Sequence, residues 1–126
     1  MSIIASDGAA YNIDDAKGGF LVHPRSFGCF SKILGLYVRE KRILNIEEAI
    51  KKMTALPALK AGLSFRGVIK PRYFADIAIF NPELIKDTAT FENPFQYAQG
   101  IHAVIINGRV ALLDGQIKNK ALGQLL

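Results

Sequence analysis

An aspartate, a histidine and an arginine near the start of the sequence could act together in hydrolysis. Asp7 follows a short apolar run and precedes Gly8, and His23 and Arg25 follow after an intervening loop. A carboxylate can serve as a general base, and a guanidinium can bind both oxygens of a substrate carboxylate. These residue types predict hydrolysis of a substrate that carries its own carboxylate. The alternative is structural: Asp7 caps a helix and the loop is solvated, because Asp-Gly is a common turn dipeptide.

The residues before Asp7 are predicted to form a buried strand. An apolar run that ends in Ser-Asp-Gly is how such a strand delivers a carboxylate to the rim of a sheet or barrel. Gly8 would let the backbone turn away at once, so that Asp7 points into a cleft.

Two amphipathic helices are predicted after the loop. The first covers about residues 27–42, where apolar side chains recur at three- and four-residue steps. The second begins at Asn45, which forms a capping-box-like start with Glu48, and it is expected to stop before Pro57. One further turn is expected to end at Gly62.

The chain after Gly62 is predicted to form a small antiparallel sheet, and we place a domain boundary between residues 1–62 and 63–126. Asn107-Gly108 is a strong hairpin signal, because both central positions of a type I′ turn favour positive φ. The stretch 82–100 is predicted to be a long surface loop. The predicted strands are residues 75–80, 101–106, 109–113 and 116–118.

Composition argues against several other classes of protein. The formal net charge is +5 over 126 residues, but no basic cluster with interleaved aromatic residues is present, so nucleic-acid binding is not expected. No apolar run approaches the roughly 18 residues of a membrane span, and no signal-peptide pattern occurs. The single cysteine, Cys29, excludes an internal disulfide, is compatible with a cytoplasmic location and is interpreted as a small buried thiol.

Short motifs are distributed over nearly the whole chain. They are Ser6-Asp7-Gly8, His23-Pro24-Arg25, Phe27-Gly28, residues 33–40, residues 47–54, residues 66–71, Ala75-Asp76, Thr90-Phe91 and residues 104–108. In this order they resemble the N-acyl-D-amino-acid deacylases (D-aminoacylases) of the amidohydrolase superfamily. Each motif alone is weak, but the ordered run is specific, and it favours the catalytic interpretation of Asp7 over the capping one.

The resemblance implies an α+β chain that forms the C-terminal part of a longer enzyme. Residues 1–62 would hold the last strand of a metal-dependent hydrolase barrel, its active-site loop and two amphipathic helices. Residues 63–126 would form the small antiparallel β domain, which is incomplete without strands from the N-terminus of the longer enzyme.

The resemblance also implies a zinc-dependent hydrolase that cleaves the amide of N-acyl-D-amino acids into a carboxylate and a free D-amino acid. Zinc would lower the pKa of the attacking water. Asp7 would carry the proton and is a candidate ligand for a second metal, Arg25 would bind the substrate α-carboxylate, and His23 would order the loop. His102 lies within a predicted strand and is expected to be structural.

The sequence does not supply a complete zinc site. Hydrolytic zinc needs at least three protein ligands, whereas the chain has two histidines, one cysteine and no His-x-His pair. We therefore expect the chain alone to be inactive and to self-associate through unpaired strand edges. The alternative is a free-standing binding or oligomerisation module derived from an amidohydrolase.

Two features depart from the family pattern. The loop over residues 9–22 is longer than the usual spacing, which leaves the position of Arg25 relative to Asp7 open. Arg72 stands where a glycine usually follows Lys-Pro, so the turn at that point is expected to differ.

Overall fold

The computed structural model describes residues 2–19 and 21–125, which fold into two compact units built from separate stretches of sequence. The helical unit comprises residues 5–46 and 82–100, and the sheet unit comprises the remaining residues. These units do not divide the chain at residue 62, and the domain boundary implied by the resemblance stays a prediction. No helix in the described part of the chain is long and apolar enough to cross a membrane.

The helical unit contains a 3₁₀ helix (Ile13–Gly18) and a longer helical stretch that changes its winding midway. Helix α1 (Arg25–Lys32) continues directly into a π-helical segment (Ile33–Glu40). Pro24 precedes the first residue of α1 with φ −53°, a value close to the one that helices require. The helix predicted over residues 27–42 is present, but its second half has the wider π winding, in which the Lys41 N–H bonds to the Leu36 carbonyl at 2.8 Å.

The stretch 82–100 was predicted to be a surface loop, and this prediction is only partly correct. It contains no strand longer than the isolated bridge between Lys86 and Gln99. However, Ile85 is 2% exposed and Pro94 is fully buried. Hydrophobic burial therefore holds this stretch against the rest of its own unit, although it lacks the periodicity by which sequence patterns are recognised.

Close backbone contact fixes the same stretch against the helical residues. A Cβ on Gly35 would lie 2.6 Å from the carbonyl oxygen of Ile85, so only glycine fits there. The Arg39 guanidinium donates hydrogen bonds to the carbonyls of Ile85, at 2.6 Å, and Pro82, at 3.0 Å.

The strand predicted before Asp7 is absent from this structure. A strand is defined by its hydrogen-bond ladder to a neighbouring strand, and no strand lies beside residues 2–6 in the part of the chain that the structure describes. Ile4 instead donates its backbone N–H to the carbonyl of Lys52 at 3.0 Å.

The sheet unit contains the short helix α3 (Ala55–Lys60) and all but the first residue of α2 (Ile46–Met53). Helix α2 carries acidic residues in its first turn and lysines in its last turn, which complements the helix dipole. Pro57 lies in the first turn of α3, where its missing N–H costs little, and Gly62 follows the helix with φ +69°. The predicted end of the helical region at Gly62 is thus confirmed.

Four antiparallel strands form a single sheet in sequence order, and the predicted α+β class is confirmed. Asn107 and Gly108 both have positive φ, +49° and +76°, as the predicted hairpin requires. Asp114 and Gly115 repeat this geometry at the next turn. The strands are β1 (Ile77–Phe80), β2 (Ile101–Ile106), β3 (Arg109–Leu113) and β4 (Gln116–Ile117).

A polar cluster ties the first hairpin to the preceding loop. The Arg66 guanidinium pairs with the Asp76 carboxylate and donates a hydrogen bond to Asn107 Oδ1 at 3.1 Å. Asp76 Oδ1 in turn accepts the backbone N–H of Asn107 at 2.8 Å. Arg66 and Asp76, which belong to two of the short motifs, therefore hold the turn at Asn107-Gly108, which belongs to a third motif.

Candidate active site

Asp7 lies at a sharp turn in the helical unit, but for a different reason than predicted. Asp7 itself has the left-handed φ of +48°, which aspartate tolerates better than most residues. Gly8 packs closely on the start of α1, where a Cβ would make a tight contact of 3.0 Å with the Cα of Ser26. The glycine therefore allows close approach to the start of α1, and the aspartate makes the turn.

The structure brings Asp7 and Arg25 together. Arg25 Nη2 lies 3.0 Å from Asp7 Oδ2, and the two side chains are 44% and 86% exposed. The long loop between them thus returns the chain to Asp7, which answers the question raised by the unusual spacing. Asp7 is not among the residues that line the cleft described below, and it adjoins that cleft through its contact with Arg25.

His23 contacts the first residue of α1. Its Nδ1 accepts the backbone N–H of Arg25 at 3.1 Å. An imidazole nitrogen that accepts a hydrogen bond carries no proton, so neutral His23 holds its proton on Nε2. His102 lies elsewhere, on β2, where its Nδ1 is 2.6 Å from Asp114 Oδ1 and both side chains are largely exposed.

A cleft of about 550 Å³ runs between the helical residues and the stretch 87–92. Its lining includes His23, Arg25, Lys32 and Tyr37. Lys32 Nζ pairs with Asp87 Oδ2 at 3.6 Å across it. The cleft is large enough for a small molecule, and cationic side chains line it.

Cys29 also lines this cleft and is partly rather than fully buried. Burial raises the pKa of its thiol, and the nearby Arg25 charge offsets part of that rise. A thiol with a raised pKa is a poor nucleophile near neutral pH. The structure therefore gives no support to a catalytic cysteine.

The described residues do not form a metal centre. Within residues 2–19 and 21–125, no three histidine, cysteine, aspartate or glutamate side chains are grouped so that they could hold a metal ion. Asp7, the candidate ligand for a second metal, has Arg25 as its neighbour.

Residues 87–92 were not recognised as part of a site from the sequence. Thr90-Phe91 belonged to the motifs that carry the resemblance, but nothing local indicated that it would face His23. The available signal was the run of Thr, Asn and Gln side chains around it, which can bond the backbone and give a long loop a defined shape.

Comparison with known proteins places the chain in a family. The sequence matches the amidohydrolase family over residues 15–112. An N-acyl-D-aspartate deacylase from Alcaligenes xylosoxydans xylosoxydans is 51% identical over 94 residues, which are 75% of this chain and 19% of that protein. The chain therefore belongs to the amidohydrolase family.

Solved structures agree with this assignment. A crystal structure of D-aminoacylase is 42% identical, with a TM-score of 0.76 over 78% of this chain and 21% of the other. An N-acyl-D-glutamate deacylase from Bordetella bronchiseptica, complexed with zinc and a phosphonate mimic of the tetrahedral intermediate, is 40% identical. Its TM-score is 0.71 over 75% of this chain and 20% of the other. The chain thus spans about a fifth of the length of these relatives.

Proposed function

We propose that this chain is the C-terminal part of a zinc-dependent hydrolase that cleaves the amide of N-acyl-D-amino acids. In this proposal Asp7 carries the proton and Arg25 binds the substrate α-carboxylate. The observation that supports it is the 3.0 Å contact between Asp7 Oδ2 and Arg25 Nη2. The relatives described as deacylases of N-acyl-D-aspartate and N-acyl-D-glutamate support the substrate class.

The chemistry of the substrate explains why the two groups should be neighbours. In an N-acyl-amino acid, only Cα and the amide nitrogen separate the α-carboxylate from the carbonyl carbon under attack. A guanidinium that holds the carboxylate and a base that serves the amide must therefore lie side by side. A planar guanidinium can hold both carboxylate oxygens and so fix the amide relative to the base.

The role of Asp7 is proton transfer at the amide. Its carboxylate accepts a proton from the water that adds to the carbonyl carbon. It then donates that proton to the amide nitrogen as the carbon–nitrogen bond breaks, which releases the carboxylic acid and the amine. The high exposure of the Asp7 side chain leaves it accessible to both water and substrate.

Zinc belongs to this proposal only as a group held by other residues. The described residues do not fit a hydrolytic zinc ion, because they provide no group of three ligands. The ligands would have to come from parts of the longer protein that correspond to the remaining four-fifths of the relatives.

Inactivity and self-association of the isolated chain are part of the same proposal. Strands β1 and β4 are the two edges of the sheet, and an open edge can pair with another chain. We expect no deacylase turnover from the chain alone, and sedimentation velocity should show species heavier than 13.8 kDa. Turnover by the isolated chain loaded with zinc would refute this expectation.

The test compares two substrates in the full-length protein. N-acetyl-D-aspartate, N-acetyl-D-glutamate and N-acetyl-D-leucine are assayed, and the best of them is compared with its own α-carboxamide. Arg25→Met should raise KM for the carboxylate substrate by about ten- to a hundredfold, the usual value of hydrogen bonds to a charged group. It should change KM for the carboxamide little.

The matched control is Arg42→Met, because Arg42 is an exposed arginine of the same unit outside the cleft. An equal loss with both substrates would contradict the proposal. An antibody against this chain adds an independent test on extract from its source. A native band near 13.8 kDa would favour the alternative of a free-standing binding module.

A further inference from the structure

One aromatic contact connects the stretch 87–92 to the proposed carboxylate-binding arginine. The Phe91 ring lies edge-on to the His23 ring, with centroids 5.0 Å apart and an interplanar angle of 80°. His23 Nδ1 accepts the backbone N–H of Arg25, and all three residues line the same cleft. We propose that Phe91 is a positioning residue that acts through His23 to hold Arg25 for the substrate carboxylate. This inference rests on the proposed function.

His23 can help to position Arg25 only in one ring orientation and one neutral tautomer. Nδ1 must face the Arg25 N–H and must be unprotonated, which leaves the proton on Nε2. An imidazole that is free to rotate about its side-chain bonds would lose this hydrogen bond. The T-shaped contact with the Phe91 ring favours one orientation of the imidazole, and a side chain without an aromatic ring would not provide it.

The turn that carries Phe91 is itself well defined. The Thr90 N–H bonds to the Asn93 carbonyl at 3.1 Å, and the Asn93 N–H bonds to Thr90 Oγ1 at 3.0 Å. The Gln96 amide donates to the carbonyls of Thr88 and Asn93, both at 2.8 Å. These bonds close a compact turn with Phe91 near its tip, so the backbone that carries the ring is held in place.

The base of this turn is anchored on α1. A Cβ on Gly28 would lie 2.7 Å from the Cβ of Asp87, and Asp87 pairs with Lys32 at 3.6 Å. The wall that carries Phe91 and the helix that carries Arg25 are therefore held at a fixed separation.

Phe91 contributes little to the core, which makes its role testable. It is 65% exposed, and truncation of an exposed side chain removes little buried area. Phe91→Ala should therefore leave the helical unit folded while it frees the His23 ring.

The first test uses nuclear magnetic resonance on the 126-residue chain at pH 8, where an unperturbed imidazole is neutral. Two-bond proton–nitrogen spectra should show His23 with its proton on Nε2. His102 is the internal reference, because its Nδ1 faces the Asp114 carboxylate and should carry the proton. Phe91→Ala should produce a mixture of His23 tautomers and leave His102 unchanged, whereas Phe91→Tyr should preserve both signals.

The result that would overturn the proposal is a His23 spectrum that Phe91→Ala leaves unchanged. Loss of chemical-shift dispersion among the other residues of the helical unit would indicate loss of that fold, because His102 lies in the sheet unit and reports only on it. In that case Phe91→Leu, which keeps the bulk and removes the aromatic edge, provides the same test. An unchanged His23 tautomer in Phe91→Leu would then overturn the proposal.

The second test measures substrate binding in the full-length protein. Phe91→Ala should raise KM for the carboxylate substrate about two- to tenfold, the usual value of one aromatic pair, without changing kcat. His23→Asn keeps an acceptor for the same backbone N–H but removes the ring that Phe91 contacts. In the His23→Asn background, Phe91→Ala should have no further effect; a full effect there would refute action through His23.

Failure of the inference can be separated from failure of the proposed function. If Arg25→Met has no selective effect on the carboxylate substrate, the proposed function fails. If Arg25→Met raises KM selectively for the carboxylate substrate and Phe91→Ala does not raise it, only the role of Phe91 fails.

Discussion

The carboxylate of Asp7 lies 3.0 Å from the guanidinium of Arg25, and both side chains are open to solvent. Exposed ion pairs of this kind stabilise proteins by at most about 1 kcal/mol. The pair is therefore easily exchanged for another. If Arg25 binds a substrate carboxylate, the incoming carboxylate takes the place of Asp7 and leaves Asp7 free to act as a base.

Replacing Asp7 with asparagine should abolish proton transfer without removing the side chain. In the full-length protein we expect Asp7→Asn to lower kcat by about a hundred- to ten-thousandfold, because an amide cannot accept the proton. KM should fall by at most about fivefold, because the substrate carboxylate no longer has to displace an ion pair worth up to about 1 kcal/mol. Asp114→Asn is the control, since Asp114 is also an exposed carboxylate with a basic neighbour but lies on a β turn. A kcat within a few-fold of wild type would refute the catalytic role of Asp7.

Adding a methyl group at Gly28 should destabilise the helical unit. The new Cβ would lie 2.7 Å from the Cβ of Asp87, so either α1 or the backbone around Asp87 must shift. Such overpacking costs about 1–3 kcal/mol, against a gain of up to about 1 kcal/mol in helix propensity. Thermal and urea unfolding of the chain measure the difference.

Gly123→Ala provides the matched control for that experiment, because a Cβ there meets nothing within 4 Å. It should change the free energy of unfolding by less than about 0.5 kcal/mol. Equal stability of Gly28→Ala and Gly123→Ala would show that the stretch around Asp87 does not pack tightly on α1.

A glycine at position 72 should stabilise the chain. Pro71 and Arg72 are the central residues of a turn in which the Tyr73 N–H bonds to the Lys70 carbonyl at 3.1 Å. Proline at the first central position and φ +70° at the second define a type II turn, which favours glycine at the second. Relief of the backbone strain at positive φ should raise the free energy of unfolding by about 1–2 kcal/mol. The greater conformational freedom of glycine in the unfolded chain offsets part of this gain.

We expect Arg72→Gly to raise the free energy of unfolding by up to about 1 kcal/mol in urea titrations. Lys70→Gly is the comparison, because Lys70 lies in the same turn without positive φ and should lose stability. A destabilised Arg72→Gly would mean that the arginine side chain makes a larger contribution than its backbone strain costs.

The Cys29 thiol should react slowly with alkylating reagents. Burial raises its pKa, so at any pH below that value a smaller fraction is thiolate than in a free cysteine. The pH profile of iodoacetamide alkylation should lie to higher pH than that of the urea-unfolded chain. Arg25→Met should move it higher still, because the Arg25 charge lowers the thiol pKa. An alkylation profile of the folded chain that lies at lower pH than that of the unfolded chain would contradict a raised thiol pKa.

Local patterns predicted the local structure well. The hairpin at Asn107-Gly108 and the end of the helical region at Gly62 followed from backbone preferences of single residues. Membership of the amidohydrolase family, which the ordered motifs predicted, is also confirmed. In contrast, the strand before Asp7 is absent, since a strand depends on neighbours that its own sequence does not contain.

The sequence by itself determined which residues could do chemistry, and it predicted the helical regions and the hairpins around them. Only the tertiary structure decided that Asp7 reaches Arg25 and that Phe91 packs on His23. These contacts join residues far apart in the chain through a long loop and an irregular stretch. Their pairing depends on close backbone approach at glycines and on hydrogen bonds that no hydrophobic periodicity records.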